Sequence, residues 1–159
     1  ISYLVSNQLV YRSYKIRTVK SPLSSCRELE HFKLYYPDDG LLSGRLHLTK
    51  KTLLENEDIK YTLYENHIAH SLLEAGYSLY YYQSEGKAEV NFVIQNRLGK
   101  IIPIEIATKT GSKTKSLSVF LKKFLVTDAY RVTEGNFATK KGVHYLPVYA
   151  IFCLNEQLY

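Results

Sequence analysis

Methionine and tryptophan are absent from this sequence, and cysteine occurs only twice, at Cys26 and Cys153. Two lone cysteines give neither a disulfide framework nor a metal-ligand spacing. Both are expected to be buried, reduced, small hydrophobic groups, which makes a reducing cytoplasm the expected compartment. No apolar run approaches the roughly 20 residues of a membrane span, so no membrane partner is expected. Repeats and low-complexity tracts are also lacking. A chain that starts at Ile1 without a methionine reads as a piece of something longer, with residues 1–30 the end of a preceding element or a linker.

What is present describes a globular domain. Apolar residues make up 45% of the chain and charged residues 23%, a balance that excludes disorder. At 159 residues the chain is long enough for one proper core. The formal charge is +6, which favours polyanions such as DNA or RNA as partners. Fifteen tyrosines suit base stacking, and they equally suit cores and interfaces.

Periodicity then orders the elements. YRSYKIRTVK reads as a strand ending at Ser21-Pro22, and HFKLYY as a strand with Phe32, Leu34 and Tyr36 on one face. Pro37-Asp38-Asp39-Gly40 reads as a turn, and Leu41–Leu54 as a short helix plus a loop. Tyr61, Tyr64, Ile68, Leu72 and Ala75 fall on one face of a helix over 61–75, closed by Gly76. Residues 77–83, 88–95 and 101–107 read as strands, the first two joined by a Ser84–Lys87 hairpin turn. Lys115–Phe124 reads as an amphipathic helix with Leu117, Phe120, Leu121 and Phe124 inward. Ala129–Val132 and Tyr145–Leu154 complete the strands. The pattern predicts a mixed α/β fold with a central sheet flanked by helices. Pro103 demands a strand start, an edge or a bulge.

Three polar groups interrupt these apolar elements. Glu65 lies on the apolar stripe of the long helix, Asn91 inside EVNFVI, and Glu105 inside IIPIEI. Buried without partners, such groups cost several kcal/mol, so each needs a partner or a task. Glu65 also completes Thr62-x-x-Glu65, a capping-box spacing that would give it a purely structural role. For Glu105 an ion pair with a lysine is the structural alternative.

The strings KLYYPDDGLL, YENHIAHSLLEAGYSLYYYQSEGKAEVNFVI, KIIPIEIATK, KSLSVFLKKF, YRVTEGNF and LPVYAIF stand in a telling order. From about Phe32 to the end, the chain resembles the domain of unknown function 4143 found C-terminal to the ATPase module of prokaryotic AAA+ ATPases. That family is similar in fold to PD-(D/E)xK nucleases. The resemblance implies a restriction-endonuclease-like central mixed sheet flanked by helices over 31–159, and an attached or neighbouring ATPase module as partner. In such nucleases a helix Glu, a strand Asp and a strand Glu-x-Lys surround one or two divalent cations. Carried over, these positions are Glu65, Asn91, Glu105 and Ala107. Two depart from the pattern. Asn91 offers a neutral carbonyl where a hard cation wants a carboxylate. Ala107 removes the cation that would stabilise developing negative charge.

Period-two alternation places Glu89 beside Asn91, and Lys109 beside Glu105 and Ala107, as local substitutes. Glu65, Glu89 and Glu105 are thus weak metal candidates, with Mg²⁺ the ion if the site is competent and no cofactor otherwise. Glu65, Asn91 and Glu105 are expected to converge within about 4–6 Å, given oxygen–cation distances. Lys109, Lys113, Lys115, Lys122 and Lys123 form a basic stretch, read either as a solvated face or as phosphate contacts. Gly111-Ser112-Lys113-Thr114 fails the Walker A spacing, so no ATPase core is expected within the chain. His67 and His70 complete no zinc set with the cysteines. Three functions follow: a degenerate, non-catalytic nuclease-like accessory domain, an active metal-dependent DNA endonuclease, or a protein-interaction domain without a nucleic acid role.

Overall fold

The long helix begins earlier than its apolar stripe suggests. In the computed structural model, which describes residues 1–85, 88–107 and 114–154, it spans Glu57–Glu74 (α4). Asn56 is its N-cap, its side chain accepting from the Asp58 and Ile59 amides, and Glu57 and Asp58 complement the helix dipole. The expected Thr62–Glu65 capping box therefore does not form. Thr62 lies inside the helix and donates to the Asp58 carbonyl. The other end matches expectation: Gly76 takes φ +83°, the left-handed conformation that closes the helix.

Before α4 come a short helix at Ser2–Ser6 (α1), strands Tyr11–Ile16 (β1) and Arg27–Tyr35 (β2), and helices Asp39–Arg45 (α2) and Lys50–Glu55 (α3). Pro37–Gly40 is a helix start, not an isolated turn, because Asp38 accepts from the Leu41 amide and caps α2. Thr49 caps α3 in the same way, so Leu41–Leu54 holds two helices. After α4 follow β3 (Tyr80–Gln83), β4 (Glu89–Gln95), β5 (Ile101–Ala107), α5 (Thr114–Phe124), β6 (Ala129–Thr133), β7 (Ala138–Lys140) and β8 (Val143–Pro147). The last strand stops at Pro147, where a missing N–H ends the ladder, and Val148–Cys153 forms a 3₁₀ turn. Both cysteines are half-buried instead of fully buried.

All eight strands join one mixed sheet in the order β2-β1-β3-β4-β5-β6-β8-β7. Residues 1–30, read from sequence as the end of a preceding element or a linker, contribute β1, an inner strand whose Ile16 is fully buried. β3, β4 and β5 run antiparallel, and β5, β6 and β8 run parallel. Pro103 sits within β5 opposite Val93, one residue before the ladder to β6 starts at Ile104.

The sheet has two apolar faces. On one, Ile68 and Leu72 of α4 pack on Phe92, Ile94, Ile102, Ile104, Ile106 and Val132. On the other, Leu117 and Phe120 of α5 pack on Tyr82, Val90, Val93 and Ala129. Along β4 the alternation breaks. Tyr80 pairs with Val93 but Tyr82 pairs with Val90, so β4 holds one extra residue in a bulge. Val90 and Val93 consequently share the α5 face, while Phe92 stays on the α4 face.

On β2, Phe32 and Leu34 share one face, and Lys33 and Tyr35 share the other, which points toward α4; Tyr35 is buried and Leu34 is 41% exposed.

Two turn glycines offer a test of this geometry. A Cβ on Gly76 meets open space, so Gly76→Ala should cost only the left-handed conformation, about 1–2 kcal/mol. A Cβ on Gly142, at φ +76°, would lie 2.7 Å from the Thr127 carbonyl oxygen. Gly142→Ala should therefore lower the urea midpoint clearly further than Gly76→Ala.

Candidate functional site

The polar interruptions of α4 and β4 meet on the α4 face. The bulge in β4 turns Asn91 toward α4, where its amide donates to Glu65 Oε1 at 3.3 Å and to the Tyr61 hydroxyl at 2.5 Å. Its carbonyl oxygen accepts from the Ile106 amide at 3.0 Å. The Asn91 side chain is thus a bracket joining α4, β4 and β5. An aspartate would lose the N–H donors and set a second carboxylate against Glu65.

Glu65 has two further partners that the sequence reading missed. Lys33 Nζ lies 2.9 Å from Glu65 Oε1 and 2.5 Å from Glu89 Oε1. Tyr35 donates to Glu65 Oε1 at 3.1 Å. Lys33 also stands 5.1 Å from the centroid of the Tyr81 ring. The ammonium therefore bridges two of the three carboxylates named as weak metal candidates. Burial alone would lower its pKa, but the charges and hydrogen bonds of Glu65 and Glu89 more than offset this and raise it. Burial, then the nearby Glu65 charge, pushes the Tyr35 and Tyr61 hydroxyls up as well, so both remain neutral at ordinary pH, Tyr35 donating to Glu65 and Tyr61 accepting from Asn91. A clue lay in the sequence: Lys33 is two residues from Tyr35 on a strand, so an inward Tyr35 brings Lys33 inward too.

Glu105 does not join this cluster. Ile102, Ile104 and Ile106 face α4, so alternation turns Glu105 to the α5 face. There Arg131, its register partner on β6, donates from Nε at 2.9 Å and from Nη2 at 2.6 Å, both to Oε2. Arg131 also reaches the Tyr145 hydroxyl at 3.2 Å. The ion-pair alternative for Glu105 is thus realised, with arginine in place of lysine. Oε1 is buried and has no hydrogen-bond partner among the described residues. Burial pushes the Glu105 carboxyl above the usual carboxylate range, against the pull of Arg131.

The expected convergence of Glu65, Asn91 and Glu105 is therefore incomplete, with the first two in contact and the third paired elsewhere. Among the described residues, no three His, Cys, Asp or Glu side chains come together in a group able to hold a metal ion. Ala107 is the last residue of β5, half-buried opposite Thr133. Lys109 and Lys113 lie outside the described residues, so the proposed rescue by Lys109 does too. Lys115 and Lys122 are exposed on α5. Lys123 is exposed as well, and it donates to the Tyr82 hydroxyl at 3.1 Å and lies over the Tyr82 and Phe124 rings. No helix among the described residues is long and apolar enough to cross a membrane.

The sequence model of one protein family, described as Domain of unknown function (DUF4143), matches residues 61–151. The match runs from α4 through the final 3₁₀ turn, and it leaves out β1 and β2, including Lys33 and Tyr35. No curated protein and no solved structure matches the chain.

The buried Glu105–Arg131 pair makes a prediction with a definite sign. Arg131→Met should destabilise the fold by about 3–5 kcal/mol at pH 8, because it strands a buried carboxylate. Without the guanidinium, the carboxyl rises further above its ordinary range. A group whose folded pKa is raised stabilises below its unfolded pKa and loses that contribution as pH rises through the folded value. The deficit in urea unfolding should accordingly shrink as pH falls from 8 to 5, and Glu105→Gln in the same chain should abolish that pH dependence.

Proposed function

The chain belongs to the DUF4143 family, and on that footing we propose that it is a non-catalytic, nuclease-like accessory domain of an AAA+ type ATPase, able to contact nucleic acid. The observation that carries this reading is Lys33, whose ammonium bridges Glu65 and Glu89. A fixed positive charge between those carboxylates weakens the electrostatic attraction that would draw a divalent cation. Asn91 reinforces the effect, because its amide is committed to Glu65, Tyr61 and Ile106. Glu105 is neutralised by Arg131 on the other face, and Ala107 supplies no cation. The nuclease-like fold is supported by the order of elements: a long helix bearing Glu65, then a three-stranded antiparallel meander bearing Asn91 and Glu105 on its second and third strands.

Plasmid DNA incubated with the protein and Mg²⁺ or Mn²⁺ should stay intact. Protein-dependent cleavage that disappears in Glu65→Gln would overturn the reading. The same logic predicts no Mg²⁺-dependent change in Tm for the wild type. Lys33→Met combined with Asn91→Asp should gain one, since positions 65, 89 and 91 would then present three carboxylates without an internal cation.

Nucleic acid contact is assigned to Lys115 and Lys122, with Lys109 and Lys113 beside them in sequence. Each phosphate contact adds about 0.9 to the magnitude of the log–log salt slope on duplex DNA. Replacing Lys115 and Lys122 with alanine should lower that magnitude by up to about 2 and leave the urea midpoint unchanged. Lys123→Ala should instead lower stability, because its side chain packs on Tyr82 and Phe124. If the wild type retains no DNA at low salt, the basic face is only a solvated surface.

A further inference from the structure

β1 and β2 carry arginines and aromatic rings on the sheet face opposite Lys33 and Tyr35. The ladder pairs Tyr14 with Phe32 and Arg12 with Leu34, and alternation puts these four side chains on one face. It is the face shared with α5, since Tyr14 packs against the core on that side. Phe32 stands edge-on to Tyr14, with ring centroids 6.2 Å apart. The Arg12 guanidinium lies 4.9 Å from the Phe32 centroid, and its Nη1 donates to the Tyr14 hydroxyl at 3.2 Å. Beyond the irregularity in the ladder, Arg27 pairs with Ile16 and lies over the Tyr14 ring, 5.5 Å from its centroid. Two guanidiniums thus converge on one tyrosine.

Neither is neutralised. Among the described residues, no carboxylate forms an ion pair with Arg12 or Arg27. Glu28, which follows Arg27 on β2, is engaged by Arg17 and His31. Arg27 is exposed, and its guanidinium donates to none of the described residues. Arg12 is half-buried and spends one of its five N–H donors, on Tyr14, while its Nε is buried without a partner. Like charges brought to one ring, with their donors unspent, are relieved by an oxyanion at the outward N–H edges.

The stacking selects the kind of anion. A guanidinium laid on a ring offers its other plane to a second flat group, and its edge to a phosphate. Unpaired nucleobases stack on such planes, whereas a duplex keeps its bases stacked inside and an acidic peptide would use the charge alone.

We infer that this face of β1 and β2 binds single-stranded nucleic acid, with phosphates at Arg12 and Arg27 and a base stacked on the Arg27 guanidinium. Both strands lie outside the residues that the family model matches, and the surface shares no residue with the Lys33 cluster or with Lys115 and Lys122. It therefore does not rest on the nuclease-like reading.

Fluorescence anisotropy of a labelled oligothymidylate, titrated with the intact chain at low salt, tests this. The expected result is saturable binding, displaced more strongly by an unlabelled single strand than by a duplex of equal length, and weakly by a glutamate oligomer of equal charge. Arg27→Ala should weaken binding on the order of tenfold, and Arg27→Lys about threefold, because lysine keeps the charge and loses the stacking plane. Arg27 is exposed, so both variants should keep the wild-type urea midpoint. Loss of binding on replacing Lys115 and Lys122 with alanine, with none on Arg27→Ala, would assign the contact to α5 and overturn the inference. So would the absence of saturable binding, equal displacement by the duplex or the glutamate oligomer, or wild-type affinity in either Arg27 variant.

Discussion

The ion cluster around Lys33 is the constraint on which the candidate site depends. It ties three elements that are distant in sequence: β2 through Lys33 and Tyr35, α4 through Glu65, and β4 through Glu89 and Asn91. Side by side and half out of water, Glu65 and Glu89 would repel one another and lose hydration. A shared ammonium offsets both costs, and the Tyr35 hydroxyl and Asn91 amide add donors to Glu65. A divalent cation could meet the same electrostatic need. The chain meets it internally, with a covalently attached charge that requires no ion from solution.

Asn91 follows from this arrangement. Two carboxylates and one ammonium already leave the cluster with an excess negative charge. A third carboxylate at position 91 would add to that excess, whereas an amide donates toward Glu65 and accepts from the Ile106 backbone at once. An asparagine at position 91 therefore satisfies the buried hydrogen bonds where a carboxylate would not. Glu105 completes the picture from the other face. Its two hydrogen bonds from Arg131 make it part of the sheet's packing against α5.

Much of the fold was legible in the sequence because it rests on local patterns. The stripe from Tyr61 to Ala75 reports a helix lying on a core, Gly76 reports its end, and the continuous apolar runs of β4 and β5 report strands covered on both faces. Local patterns failed where the backbone departs from regular period. The extra residue in β4 places Val90 and Val93 on one face, which simple alternation cannot supply. Alternation put Phe32 and Leu34 on one face of β2 but did not say which face meets α4, and it is the one carrying Lys33 and Tyr35. The helix start was missed because Asn56 caps a first turn that carries little apolar signal.

The sequence by itself determined the mixed α/β class and the presence of polar groups at Glu65, Asn91 and Glu105. Those facts are properties of residue identity and spacing, and no packing alters them. Only the tertiary structure decided what the polar groups touch. Lys33 is thirty-two residues from Glu65 and fifty-six from Glu89, and Glu105 is twenty-six from Arg131. Partners at such separations are fixed by strand order, register and a single bulge, which depend on the folding of the entire sheet.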